Sequence, residues 1–335
     1  MIKSHTLVPI AIAGMLLAGC SGTSSQETED TRIPVIFDTD ANNELDDQHA
    51  LAYLLLNQEI FNLYGVTVNA TWGGGDVESH YEEAVRIVQL CNMQGTIAVH
   101  KGANGNFEEI RETIGSPGFD GAEAVNFIIG ESKKHRDTRL VVLAVGKLTN
   151  VALALEKDPS MADRIRLVWL GSNYPEPGEY NQDNDTVAMN YLLNSRVPFE
   201  MVTVRYGQPS GTAAVTVSQQ EINARMPGLG PHANEPVTGR HGGIFNCFGD
   251  YSVSLFEHID YHDNAKTRAL FDMAAVAIVK NPDWAGSRRI PAPILMDNSW
   301  VERPGNSRQI IVWENFRKEE ILKDFFTTLE AAVSQ

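Results

Sequence analysis

Five carboxylates fall within ten residues in the segment Asp38-Thr39-Asp40-Ala41-Asn42-Asn43-Glu44-Leu45-Asp46-Asp47. Like charges at that density repel, and a hard divalent cation with oxygen ligands is the economical way to hold them together. A solvated acidic turn capping a helix that starts near Asp47 is the plainer alternative, because carboxylates favour the positive end of a helix. Position decides between the two. The run follows Val35-Ile36-Phe37, a short apolar strand, and open α/β sheets place their ligand sites at the carboxyl ends of such strands. A metal site is therefore the expectation.

The elements that must position these residues alternate along the chain. Short apolar runs predict buried strands over 35–37, 63–68, 140–145, 165–170 and 199–204. Apolar residues at helical spacing predict helices over 47–57, 77–93, 148–157, 187–195, 271–279 and 318–332. Strands alternating with helices read as one α/β domain with a mostly parallel central sheet and helices on both faces, here over 33–335. The stretch 208–258 differs in texture. It is rich in Gly, Pro, Asn and His and contains Gly239-Arg240-His241-Gly242-Gly243, which reads as an irregular insertion or lid.

Composition narrows the partners. The 335 residues are 43% hydrophobic, enough for one large core. Acidic residues outnumber basic ones by 43 to 27, so the field of the protein opposes a phosphate backbone and nucleic acid is not an expected partner. The cysteines Cys20, Cys91 and Cys247 are too far apart to suggest a zinc set or a disulfide framework. Cys20 ends a segment with Lys3, an apolar run from Leu7 to Gly19 and then a Ser/Thr-rich stretch, the layout of a bacterial secretion signal. Leu17-Ala18-Gly19-Cys20 resembles a lipobox, which implies a signal peptide over 1–19 and acylation of Cys20. The polar stretch that follows reads as a flexible tether over 20–32, leaving a membrane-anchored lipoprotein in the periplasm or at the cell surface. The apolar run is short of the roughly twenty residues a transmembrane helix needs.

Two families carry acidic motifs of this kind. Ile36-Phe37-Asp38-Thr39-Asp40 superficially resembles haloacid-dehalogenase-type phosphatases, but Ala41-Asn42-Asn43 stands where that family has a small glycine-and-threonine turn. The chain is more similar to the inosine-uridine-type nucleoside hydrolases, whose N-terminal motif reads D-[TC]-D-P-G-x-D-D. Asp38, Asp40, Asp46 and Asp47 fit it, with a turn two residues longer that contains Asn43-Glu44. The resemblance continues in order over about 300 residues. Tyr64 to Asn69, Ala98 to Ala103, Val145-Gly146-Lys147-Leu148-Thr149-Asn150, Glu179-Tyr180-Asn181 with Asp185, and Phe271-Asp272 each match a family block.

That resemblance implies a calcium ion held by Asp40, Asp47, the backbone carbonyl of Val145, and Asp272. It implies sugar contacts from Asp46, Glu179 and Asn181, with Asn69 and Asn173 as weaker candidates. Asp40 is the expected base for the attacking water. Phe271 stands where many members have a histidine, so a leaving-group acid must come from elsewhere, and His241 is the nearest replacement. The activity implied is calcium-dependent hydrolysis of the N-glycosidic bond of a ribonucleoside or related N-riboside. The alternatives are a ribose- or nucleoside-binding lipoprotein without turnover, and a hydrolase of another modified N-glycoside. Family members are commonly oligomers, which makes a homo-oligomer an expectation as well.

Overall fold

In the computed structural model the described residues are 1, 30–135, 138–261 and 264–334. The expected signal peptide and most of the tether lie outside them. Eight strands form the main sheet: β1 (Ile33–Thr39), β2 (Phe61–Val68), β3 (Val99–Lys101), β4 (Leu140–Ala144), β5 (Ile165–Ser172), β6 (Phe199–Thr203), β7 (Gly286–Pro291) and β8 (Gln309–Glu314). Their order is β7-β8-β6-β5-β4-β1-β2-β3. All neighbouring pairs are parallel except β7 with β8. Strand order therefore reverses between β1 and β4, the kind of switch point at which such sheets bind ligands.

Eight longer helices cover the sheet: α1 (Asp46–Leu55), α2 (Val77–Leu90), α3 (Ala122–Ser132), α4 (Thr149–Lys157), α5 (Thr186–Asn194), α6 (Phe248–Glu257), α7 (Phe271–Lys280) and α8 (Lys318–Ala332). Alternation along β1 assigns the two cores. Val35 and Phe37 pack with α1, α2, α6, α7 and α8, while Ile36 packs on the other face with α3, α4 and α5. Every residue of α1 is buried, with α7, α2 and α8 packed around it and Phe248 and Phe256 of α6 against His49.

The stretch 208–258 is more regular than its composition suggests. It contains a helix over Gln219–Arg225, α6, and short strands at Thr216–Ser218, Val237–Thr238 and Ile244–Phe245. Phe248, Tyr251, Leu255 and Phe256 lie on one buried face of α6, at helical spacing that the surrounding Gly and Pro obscured. The hairpin of Val237–Thr238 and Ile244–Phe245 carries Arg240 and His241 at its tip, where Gly242 and Gly243 have φ of +85° and +79° and supply the left-handed backbone.

Candidate active site

The acidic motif lies where β1 ends and α1 begins. Asp46 and Asp47 occupy the first turn of α1, and Asp272 occupies the first turn of the neighbouring α7, so two helix N-termini face the same spot. Ligand oxygens of Asp46, Asp47 and Asp272 lie within 4.8 Å of one another, all three residues being buried. They line a cavity of about 240 Å³ together with Asp40, Glu44 and Glu179. Asn43, Val145, Tyr180, Asn181, Tyr206 and Phe271 complete much of its wall.

Each wall residue is held by local structure. Thr71 Oγ1 donates to Asp40 Oδ2 at 2.6 Å, and the hydroxyl of Thr39 donates to Asp47 Oδ1. A Cβ on Gly146 would come to 3.0 Å from Asp40 Oδ1 and 3.1 Å from the Asn69 amide, so a side chain there would press on both. Asn181 Nδ2 donates to the carbonyls of Val145 (2.6 Å) and Leu170 (3.3 Å), while its Oδ1 is buried without a partner among the described residues. Glu179 caps a short helix over Tyr180–Asn184, its Oε2 accepting from Gln182 N at 2.8 Å. Asp185 caps α5 and also accepts from Thr149 Oγ1 and Phe107 N, which ties three loops together behind the cavity.

Burial dominates the electrostatics. It pushes Asp40, Asp46 and Glu179 up to about 7, with repulsion from neighbouring carboxylates adding to the effect. Asp47 and Asp272 are pushed well above the carboxylate range by burial and by Asp40 and Asp46 respectively. Carboxylates crowded and desolvated in this way are stabilised by a cation, and a set made only of oxygens suits a hard one. The unpartnered Asn181 oxygen adds another acceptor on the same wall.

The enlarged turn is clamped from outside. Arg240 donates to the carbonyls of Asn42 (3.1 Å) and Glu44 (2.5 Å), and Arg268 pairs with the Glu44 carboxylate. Asn42 N donates to His80 Nδ1 at 3.1 Å, and Asn42 Nδ2 to Gly74 O at 2.6 Å. The two extra residues thus place Asn43 and Glu44 on the cavity wall.

Among the sequence candidates, the fold gathers Asp40, Asp46, Asp47, Val145, Glu179, Asn181 and Asp272 around one cavity. The converging trio contains Asp46, expected at the sugar, in place of Asp40, expected at the ion. Asn69 lies just behind, donating to Asp38 Oδ1 at 2.8 Å, and its Oδ1 is unpartnered among the described residues. Asn173 and His241 do not line that cavity, although His241 lines a neighbouring one that shares Asn43 and Glu44 with it. Asn173 spends its amide on Pro177 O and accepts from Tyr206 N, so it braces a loop. His241 stacks on His258 at 4.6 Å and accepts from Arg240 Nε at 3.0 Å. The grip of Arg240 on the turn holds the hairpin tip outside the cavity wall. Sequence reasoning missed Asn43, Glu44, Tyr180 and Tyr206. Asn43 and Glu44 were visible as the extra residues of the turn, whereas Tyr206 reaches the site only through the course of the loop after β6.

Comparison with known proteins agrees with this geometry. Residues 35–320 match the family model described as inosine-uridine preferring nucleoside hydrolase. An uncharacterised protein of Schizosaccharomyces pombe is 27% identical over 210 residues, which cover 56% of this chain and 66% of that protein's length. Among solved structures, a plant nucleoside hydrolase superposes with a TM-score of 0.70 at 15% identity, covering 89% of this chain and 99% of its own. A purine-preferring ribonucleoside hydrolase from Gardnerella vaginalis gives 0.65 at 22% identity, covering 90% and 99%. An inosine-guanosine nucleoside hydrolase gives 0.68 at 17% identity, again covering 89% and 99%. By the extent of the family match, the chain belongs to the inosine-uridine preferring nucleoside hydrolases, a family of N-glycosyl hydrolases.

Proposed function

We propose that the protein is a calcium-dependent hydrolase of the N-glycosidic bond of ribonucleosides or closely related N-ribosides, releasing ribose and the free base. The observation that carries this reading is the buried convergence of Asp46, Asp47 and Asp272 at the β1/β4 switch point, beside a wall of further oxygen acceptors. Asp40, Asp47, Asp272 and the Val145 carbonyl are the expected holders of the ion, with Asp46 adjoining. The ion's contribution is Lewis acidity toward water and the sugar hydroxyls.

The protein's own groups do the rest. Asp40, oriented by Thr71, accepts the proton of the attacking water. Asp46, Glu179 and Asn181 surround the sugar with acceptors that favour the positive charge developing at C1′. The test is product chromatography of a nucleoside panel with calcium and with a chelator. Ribose and free base should appear only with calcium, and no product from any member would refute the reading. Binding of ribose or nucleoside without product would instead mark the protein as a binding lipoprotein.

The lipid anchor is a separate proposal, supported by the Leu17-Ala18-Gly19-Cys20 sequence. Mass spectrometry of the mature N-terminus should find acylated Cys20, and Cys20→Ser should abolish the acylation.

A further inference from the structure

The charge and proton inventory of the cavity narrows the substrate class, given that the N-riboside hydrolase reading holds. Its wall carries six carboxylates, those of Asp40, Glu44, Asp46, Asp47, Glu179 and Asp272, and no His, Lys, Arg or Cys among the described residues. One divalent ion offsets two of those charges, and Arg268 pairs with Glu44. A negative excess remains for the substrate to meet.

An anionic substrate is disfavoured on the same geometry. Arg240 spends its Nε, NH1 and NH2 groups on His241, Asn42 and Glu44 behind the turn.

A neutral base departs as an anion unless an acid protonates it, and such an acid works best when its pKa is near the working pH. The phenols of Tyr180 and Tyr206 are pushed further above their usual range by burial. The carboxylates of Asp46, Asp47 and Asp272 converge within 4.8 Å, where a bound cation favours their ionised forms, and Glu179 spends Oε2 on Gln182 N. The wall thus offers a departing base no imidazole, ammonium, guanidinium or thiol among the described residues and is rich in negative charge.

We propose that the preferred substrates are N-ribosides whose base already carries a positive charge, that is, ribosides of quaternised nitrogen heterocycles. In the reaction, water oxygen bonds to C1′ as the C1′–N bond breaks. The bonding pair neutralises the ring nitrogen, and the water's proton passes to Asp40 and then to solvent. The products are ribose, a neutral base and one proton, so no acid is required on the leaving group. Phe271 and Tyr206, edge to face with centroids 6.0 Å apart at the cavity wall, add aromatic surfaces that attract a cationic ring.

The test compares three ribosides with the calcium-loaded protein. Nicotinamide riboside is cationic, inosine is neutral and needs a proton, and p-nitrophenyl riboside is neutral and needs none. The expected kcat/KM for nicotinamide riboside exceeds that for inosine by about 100-fold or more, the lower end of what a missing general acid costs. It should also exceed that for the nitrophenyl riboside, and raising the salt concentration should narrow this second gap.

Inosine turned over as well as the cation, or a nitrophenyl riboside preferred to it, would overturn the proposal while leaving the hydrolase reading intact. No turnover of any of the three would refute the hydrolase reading itself, and this proposal with it. Phe271→His offers an independent arm as a gain of function. An imidazole on the cavity wall should raise inosine turnover relative to nicotinamide riboside by about tenfold or more. An active variant with an unchanged ratio would count against the proposal.

Discussion

Asp38 and the trio of Asp46, Asp47 and Asp272 are all buried carboxylates of one site region, yet the fold treats them in opposite ways. Asp38 accepts from Thr67 Oγ1 (2.6 Å), Asn69 Nδ2 (2.8 Å) and Asn150 Nδ2 (2.8 Å). Protein donors from three elements satisfy it, and it joins β1 to β2 and α4. The trio has few such donors and instead faces its own kind. A buried carboxylate with donors is a structural joint, whereas buried carboxylates that face one another call for a cation. That difference separates scaffold from chemistry within a single motif.

The largest effect should come from Asp47→Ala, which removes a proposed ligand from the second group. Both turnover and the calcium-induced rise in melting temperature should vanish, a rise that in wild type reflects about 2.7 kcal/mol of stabilisation at calcium a hundredfold above Kd. Asp38→Asn in the first group should behave differently. It leaves donors mismatched and should cost about 1–3 kcal/mol of stability, yet calcium should still raise its melting temperature. Equal loss of the calcium response in both variants would erase the distinction.

Next in size is Asp40→Asn, which keeps an oxygen for the ion but cannot take a proton. Turnover should fall about 10²- to 10⁴-fold, with the calcium response retained; rapid-mix kinetics and calorimetry read the two quantities separately. Near-normal turnover would move the base elsewhere.

A smaller effect concerns pH. Burial pushes Asp40 and Asp46 up to about 7 in the native protein from an ordinary 3.8, so the unfolded chain releases their protons first. Their stabilisation is complete below about 4 and is lost as pH rises through 7. Melting of the metal-free protein should therefore fall across that window, and saturating calcium should flatten the slope. A metal-free protein whose melting rises between pH 4 and 7 would contradict the assigned electrostatics. The smallest effect is expected for His241→Ala, since the ring stacks on His258 outside the cavity wall. Inosine kcat/KM should change by less than about twofold, and a selective loss on inosine over the nitrophenyl riboside would bring His241 back as the acid.

The parts of this arrangement that were readable in advance share a physical cause. Strands buried on both faces, such as β1, β4 and β5, are continuous apolar runs. β7 is an edge strand with four exposed residues, two of them arginines, and does not read as a strand by hydrophobicity. The run 310–313 of β8 carried an apolar signal, as did the buried face of α3, but neither sits in a motif that drew attention to it. At the site, the acidic residues announced themselves by crowding. The approach of Asp46, rather than Asp40, to Asp47 and Asp272 did not, because it depends on how α1 turns relative to α7. Nor did the placement of His241, which follows from the grip of Arg240 on the backbone of a distant turn.

The most direct test of the central claim is product chromatography of nicotinamide riboside, inosine and uridine incubated with the purified protein, with calcium and after chelation, alongside Asp47→Ala. The account predicts ribose and free base from at least one substrate with calcium, none after chelation, and none from the variant under either condition. Turnover that persists after chelation or in the variant would contradict a calcium-dependent hydrolase built on these carboxylates.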